Sequence, residues 1–517
     1  MNKIQIYLEE LLLPIKTLFI AIGMIALGTL LGNPFINDVF RLSHPFLTTI
    51  THVLLVMGGL ILSCFPYLVF VKLLYSRTDE KNIVVVGIIS YLVFLIMIMF
   101  FAPKNLPANM YMPYFMFQIN STVYRLANTG VIGLIGIYLI VKRIYQRPMI
   151  PRNTNFTKVF ERDISRLTRS LIFSTLYGLA IAWLIPYISQ GIYAVLNFVA
   201  ADIGNPMSLF AYSVFERLLQ LVGLHNVVRN EMWFGTLGGT WNSLENISYI
   251  GDVNIWAAQL SESVAVLGVG STGRFTTVYY VLNIFAAPAY LSALATTVSD
   301  KKKFRRGLIT VLMGTSLSLL AGVWYPLEIL MLLSTPLLYI FHVFMIGFIS
   351  AVLLGISTTL GFSYLGVLSA ATPGNIIDLI GFSRNSIINR QILMLLLFGI
   401  LVFFIYFYVV RFYFNNIAID MLNIGTKDDE IMDFIERVGG LDNIEKISST
   451  PTKVTVLLRD EDNINAAGLH RQGVTKIVQT REGYNLFYGA GSYMLQKEVN
   501  KKLEAHRNEL REVERND

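Results

Sequence analysis

The chain has 517 residues, 54% of them hydrophobic and 15% charged, with a formal net charge of +7. Soluble domains carry roughly 25% charged residues; the shortfall, beside 34 Phe and 26 Tyr, points to lipid as the main solvent and excludes a disordered chain. A single cysteine, Cys64, excludes an internal disulfide framework and a cysteine-held metal cluster, and six histidines leave little room for a histidine site, so neither metal nor cofactor is expected.

A bilayer core takes about 20 apolar residues of helix. Runs of this kind are predicted near Leu11–Leu31, Phe46–Tyr75, Ile83–Phe101, Gly130–Val141 with its flanks, and Leu171–Val199. Further runs lie near Thr277–Thr297, Leu308–Val323, Leu327–Leu354 and Ile392–Tyr413. The first run follows Glu9–Glu10 and lacks a small-residue cleavage site, so it is read as structure, not as a signal peptide. Pro14, Pro66 and Pro186 fall inside runs, where neighbouring helices can satisfy the freed carbonyls. The fold class expected is a polytopic α-helical membrane protein of about ten transmembrane helices plus re-entrant hairpins, with a small C-terminal α/β domain.

Basic clusters orient these runs. One comprises Lys142, Arg143, Arg147, Arg152, Lys158, Arg162, Arg166 and Arg169; another comprises Lys301, Lys302, Lys303, Arg305 and Arg306. Both are expected to face the cytoplasm, and the basic balance reflects such loops, with no nucleic-acid partner. Between Lys301–Arg306 and the polar tail from Phe414 there are three apolar runs, an odd number for two cytoplasmic ends. One run must fail to cross, and a re-entrant hairpin with its tip at Ala321–Pro326 is the reading adopted. The alternative has two plain helices over Leu308–Leu354 and a further crossing within Gly361–Arg390.

From Asn415 the composition becomes charged. Residues 1–414 read as the membrane domain, 415–497 as a small α/β domain, and 498–517 as a charged helical tail. In the α/β domain, Lys453–Leu458 and Thr475–Gln479 are strand-like, and Asp429–Val438 and Ala490–Leu510 are helical.

Ionisable residues in the membrane half are the candidates for function, because lipid burial is costly. The densest group is Phe215-Glu-Arg-Leu-Leu219 followed by Gly223-Leu-His-Asn226. Glu216 and Arg217 lie a little over two helical turns before His225, so they share a site with it only if the backbone breaks at Gly223. A carboxylate, a guanidinium and an imidazole suit a polyhydroxyl ligand; an interfacial Glu–Arg pair with one core His is the bland alternative. Glu328 follows Pro326 at the hairpin tip and needs a partner or a proton. Gly268-Val-Gly270 and Gly273 lack a phosphate-loop lysine and read as packing or loop positions.

In order of features the chain resembles the membrane permease of the bacterial phosphoenolpyruvate-dependent sugar phosphotransferase system, in its glucose/maltose/N-acetylglucosamine superfamily, fused as IIC–IIB. The resemblance rests on Leu11-Leu-Leu-Pro14, Phe65-Pro-Tyr-Leu68, Val86–Leu92, Phe215–His225, Gly251-Asp252, Gly273-Arg-Phe275, Ala286–Ala295 and Pro336-Leu-Leu-Tyr339. It implies a multi-pass protein of the bacterial cytoplasmic membrane, with its C-terminal domain cytoplasmic, that works as a homodimer and takes a hexose or hexose disaccharide. By the same resemblance Glu216, Arg217, His225 and Asn226 mark the sugar site. Gly322-Val-Trp-Tyr-Pro-Leu-Glu328 stands where the family has Gly-Ile-Thr-Glu-Pro-Ile-Glu. Glu328 then matches the second Glu, and Tyr325 replaces the first, exchanging a charge-assisted acceptor for a neutral hydroxyl. Trp324 and Tyr325 could also stack on a ring.

The tail departs further. Gly439-Gly440 and Asn443-Ile444 resemble the IIB domain, whose Cys-x-Thr-Arg-Leu-Arg segment carries the phosphoryl group. Here the aligned segment is Thr450-Pro-Thr-Lys-Val-Thr455. Thr450 is not a nucleophile for rapid reversible exchange at neutral pH, and Lys453 and Thr455 do not replace two arginines. Whether the chain is itself an enzyme is therefore open. The resemblance implies sugar transport with phosphoryl transfer dependent on separate IIA and IIB proteins. The alternative is a membrane sugar sensor or regulator derived from such a permease.

Overall fold

A computed structural model describes residues 2–41, 44–76, 82–119, 122–146, 157–262, 272–296, 301–367, 370, 373–414, 428–450, 453–472, 474, 476–480, 483–488 and 492–516. The glycines Gly268 and Gly270, the expected domain junction at 414/415 with the segment 415–427, Pro451, Thr452, Thr475 and Ala490 lie outside the described residues. Two compact units are present: residues 10–279 with 343–395, and residues 1–9 with 280–342 and 396–517.

The helices are α1 (Asn2–Gly32), α2 (Pro34–Phe40), α3 (Pro45–Ser76) and α4 (Asn82–Phe101), then a hairpin of β1 (Tyr111–Ile119) and β2 (Thr122–Ala127). There follow α5 (Ile132–Gln146), α6 (Thr157–Ala201), α7 (Pro206–Leu221), α8 (His225–Phe234), β3 (Thr240–Asn242), β4 (Ser248–Ile250) and α9 (Asp252–Glu262). Next come α10 (Thr277–Val281), a π-turn at Leu282–Ala286, α11 (Ala287–Thr296), α12 (Lys301–Ala321), α13 (Tyr325–Ser334), α14 (Pro336–Gly355), α15 (Ile376–Phe382) and α16 (Asn389–Phe412). The remaining elements are α17 (Asp428–Arg437), β5 (Ile444–Thr450), β6 (Lys453–Leu458), α18 (Ala466–Arg471), β7 (Ile477–Thr480), β8 (Gly483–Phe487) and α19 (Ser492–Asn516).

Among the described residues, seven helical segments are long and apolar enough to cross a membrane: Leu13–Gly32, Pro45–Ser76, Asn82–Phe101, Asp163–Ala201, Thr277–Thr296, Pro336–Gly355 and Ser386–Phe412. The expected total of about ten also counted Gly130–Val141, which is the 15-residue α5, and Leu308–Val323, whose apolar helical part is Val311–Ala321. Leu327–Leu354 is not one run: the α-helical ladder stops at Thr335 and restarts at Pro336. The ten-residue α13 is about 15 Å long, half the hydrocarbon thickness, so it cannot cross alone. Gly361–Arg390 supplies no crossing; its longest described helix is the seven-residue α15. The break at Gly322–Trp324 and the short α13 after it accord with the hairpin reading.

In the larger unit α4 packs against α3, α5 and α6. With lipid outside, hydrophobic burial does not drive this packing, and close approach must. Small residues permit it: a Cβ on Gly58 of α3 would lie 2.6 Å from the Ile25 side chain and 2.8 Å from the Ala21 carbonyl of α1. The outward faces carry Leu13, Ile20, Val56, Leu60, Leu92, Ile172 and Trp183, all exposed, as lipid contact permits. The hairpin β1–β2, antiparallel with a register shift between Tyr111 and Met116, was not anticipated, since its apolar residues lack clean alternation.

In the smaller unit, the π-turn leaves a strained ladder beside α12, where the Ser318 hydroxyl donates to the Asn283 carbonyl at 3.1 Å. The C-terminal part is a four-stranded antiparallel sheet of order β5-β6-β8-β7. Its core joins Phe434 and Ile435 of α17, and Val438 just after it, to Val454, Val456 and Leu486 of the sheet and to Leu495, Val499 and Leu503 of α19. The strand-like and helical segments expected there appear at the anticipated places, and β5, β8 and α18 are added. The boundary expected at 497/498 falls within α19, because the charged tail continues an amphipathic helix whose apolar stripe is already committed to this core.

Candidate functional site

α7 starts at Asn205, whose side chain accepts from the Met207 N–H, and it stops at Gly223, which has φ +73°. The Leu224 N–H then closes back on the Leu219 carbonyl at 3.0 Å. A left-handed residue reverses the chain there at little cost to glycine, so α8 folds back and the condition for joining the two halves of the motif is met.

Glu216 and Arg217 are both buried, at 2% and 4% exposure. The Glu216 carboxylate lies between two guanidiniums. Arg217 Nε is 3.4 Å from one oxygen, and Arg229 Nε, from α8, donates to the other at 2.7 Å. Arg229 Nη2 donates to the Tyr279 hydroxyl at 2.9 Å. The Tyr279 ring lies beneath both cations, 5.0 Å from Arg217 and 5.4 Å from Arg229, and Arg217 Nη1 donates to Gln220 at 2.7 Å. Two cations around one carboxylate leave an excess of N–H donors in a buried, aromatic-floored site. Such an arrangement can hold hydroxyl oxygens through charge-assisted bonds. His225 is half-buried at the first residue of α8, and Asn226 is exposed.

The loop motifs also meet. Asp252, at the start of α9, accepts from the Gly273 N–H at 2.9 Å and lies 3.5 Å from Arg274 Nε, while Arg274 Nη1 donates to the Ile203 carbonyl at 2.8 Å. Burial raises the Asp252 carboxyl pKa; Arg274 and the Gly273 N–H oppose that shift. The Thr276 hydroxyl donates to the Leu360 carbonyl at 2.9 Å, and the Leu360 N–H donates to the Thr277 hydroxyl at 2.8 Å, clamping this loop to the extended segment 358–362.

In the smaller unit Glu328 is 3% exposed on α13 and pairs with His342 Nε2 of α14 at 3.1 Å. His342 Nδ1 lies 2.9 Å from the Tyr406 hydroxyl of α16, and the Trp324 ring packs edge-on against the imidazole at 4.4 Å. Glu328 therefore has the partner that burial demands. Tyr325 is half-buried, three residues before Glu328 on the same helix.

In the C-terminal domain Thr450 is the last residue of β5, opposite Lys453, and its hydroxyl lies 3.4 Å from the Lys453 carbonyl. Thr455 is buried in β6 and donates to Asn485 at 2.7 Å. Gly439 and Gly440, at φ +94° and +90°, end α17, and Asn443 ties that turn to Asp460 through a bond to the Asp460 carbonyl and one from its N–H. Among the described residues no group of three or more His, Cys, Asp or Glu could hold a metal ion.

The family model for the phosphotransferase system EIIC component matches residues 11–347. The chain belongs to that family. EIIC proteins are multi-pass sugar permeases of the inner membrane, which accords with the lipid-facing helices. The matched EIIC span contains Glu216, Arg217, His225, Asn226, Tyr325 and Glu328, and it stops before Thr450. Among solved structures, the transporter ChbC, the IIC component from the N,N'-diacetylchitobiose-specific phosphotransferase system, is similar at 11% identity over 80% of this chain and 93% of that chain, with a TM-score of 0.29.

Sequence reasoning named Glu216, Arg217 and Glu328; their neighbours Arg229, Tyr279, His342 and Tyr406 come from the structure. A lone His inside the apolar run Pro336–Leu354 was a usable signal. Arg229 and Tyr279 had none, since Arg229 enters through the fold-back at Gly223 and Tyr279 from α10, distant in sequence.

Proposed function

We propose that this EIIC permease carries a hexose or hexose-containing disaccharide inward across the cytoplasmic membrane as a homodimer, with the C-terminal domain on the cytoplasmic side. The phosphoryl group would come from a separate IIB protein. Glu216 and Arg217, with Arg229 and Tyr279 beside them, would hydrogen-bond sugar hydroxyls, as would His225 and Asn226. Tyr325 and Glu328, in the other unit, stand as separate candidate sugar ligands on the strength of the family motif. The observation carrying this reading is the buried Glu216 carboxylate between two guanidiniums over an aromatic ring. The need for a separate donor rests on the absence of any cysteine besides Cys64.

The test is phosphoenolpyruvate-dependent sugar phosphorylation by membranes containing the chain and the general soluble components, with and without a Cys-bearing IIB domain, across hexoses and disaccharides. Activity only with the added domain is expected. Activity without it would overturn the borrowed-donor reading.

A second reading, a sugar sensor derived from such a permease, is favoured by one feature. The C-terminal domain keeps a complete core while its nucleophile position holds Thr450. Sugar binding without flux or phosphorylation in either arm is the outcome that selects it.

A further inference from the structure

Just beyond the end of α4 lies a cavity of about 290 Å³, lined by Met99, Ala102, Pro103, Lys104, Tyr111, Val123, Tyr124 and Arg125. Its floor is apolar: Met99 and Ala102 are buried. Its rim is cationic. The Lys104 ammonium sits over the Tyr124 ring at 4.7 Å and the Arg125 guanidinium over the Tyr111 ring at 5.9 Å. Both cations are exposed, and neither has a carboxylate partner among the described residues.

The position in the fold narrows the ligand. The apolar span Asn82–Phe101 ends three residues before Lys104, so the cations stand at headgroup depth. Phe101, Phe117 and Val123 are exposed around the cavity, and the Phe100 ring packs on Tyr124 at 4.6 Å. Two unneutralised cations call for an anion. An apolar floor with flanking exposed apolar side chains calls for hydrocarbon attached to it. A free anion satisfies only the first demand. We propose that this cavity binds the phosphodiester headgroup of an anionic phospholipid, with its first acyl carbons on Met99 and Ala102. This site is separate from the sugar-site residues and stands whether or not that assignment does.

Native mass spectrometry of the detergent-solubilised full chain tests it. Wild type incubated with phosphatidylglycerol should retain about one more lipid per chain than the K104Q/R125Q variant, and phosphatidylglycerol should raise the wild-type Tm while phosphatidylcholine does not. The single variants K104Q and R125Q should each give a partial loss, and they carry the test if the double variant does not purify as a folded protein. Equal retention by wild type and variants would overturn the proposal. So would equal stabilisation by phosphatidylcholine, or displacement of the lipid by inorganic phosphate, which would make the site one for a free anion. A change in oligomeric state with unchanged lipid retention would assign the face to a second copy of the chain and also overturn it.

Discussion

Glu216 has a neighbour in sequence and a stronger partner in space. Arg217 is 3.4 Å from its carboxylate, whereas Arg229, thirteen residues on, is 2.7 Å away. The closer guanidinium holds Glu216 in place, while Arg217 also donates to Gln220. Arg217→Ala is expected to weaken sugar binding by about 10–100-fold, the scale of one lost hydrogen bond to a charged group, with little change in Tm; a ligand-binding titration beside a melting curve checks both. Arg229→Met should instead cost about 3–5 kcal/mol, because it strands a buried carboxylate. Adding Glu216→Gln should recover part of that loss, and a double-variant cycle in Tm reads the coupling. Glu328 and His342 pose a parallel case. If the imidazole orients the carboxylate, Glu328→Gln and His342→Ala should each lower transport, and the double variant should be no worse than the more damaging single one, as expected for residues acting as a unit.

At the scale of elements, small residues and breaks decide where helices meet. Gly273 has φ +80°, and a Cβ there would lie 2.6 Å from the Gly361 N and 2.9 Å from the Trp256 ring. Gly273→Ala must therefore open the contact between the loop after α9 and the segment 358–362, losing the clamp made by Thr276 and Thr277. A lowered Tm is expected, and Ser363→Ala, just beyond that segment, serves as a milder comparison in the same melting assay. In the C-terminal domain Phe434 is fully buried between α17 and the sheet. Phe434→Ala should cost about 3–5 kcal/mol locally, read as protease cleavage confined to residues after 414 while the membrane helices stay protected. Much of this level was legible beforehand. The apolar runs locate the long helices, since about 20 apolar residues in succession have few other uses, but not their polar starts: α1 and α6 begin well before Leu11 and Leu171. The break at Thr335–Pro336 and the hairpin β1–β2 were not legible, because a short apolar segment reads alike as half-helix, strand or span.

For the molecule as a whole, the EIIC match covers residues 11–347 and leaves the Ser386–Phe412 span and the C-terminal domain to be read from their own residues. That domain is folded around Phe434, Val454, Val456 and Leu486, so if it is a IIB domain, as proposed, Thr450 has replaced the nucleophile without loss of the fold. Restoring one atom should not restore function. Thr450→Cys is expected to incorporate no phosphoryl group from phosphoenolpyruvate and the soluble components, because Lys453 replaces one family arginine and the buried, Asn485-bonded Thr455 replaces the other. Labelled phosphate on the variant would show that the two arginines are dispensable.

Composition and periodicity alone determined that the chain lives in lipid, roughly where it crosses, and that a charged α/β domain follows the last crossing. These properties are sums over many residues, and no single contact changes them. The family motif at Phe215–His225 also named three of the ionisable residues by linear order. Only the tertiary structure decided the partners: Arg229 for Glu216, with Tyr279 on Arg229, and His342 for Glu328, with Tyr406 on His342. A buried charge takes the partner that the packing brings within hydrogen-bonding reach, wherever that partner lies in the sequence.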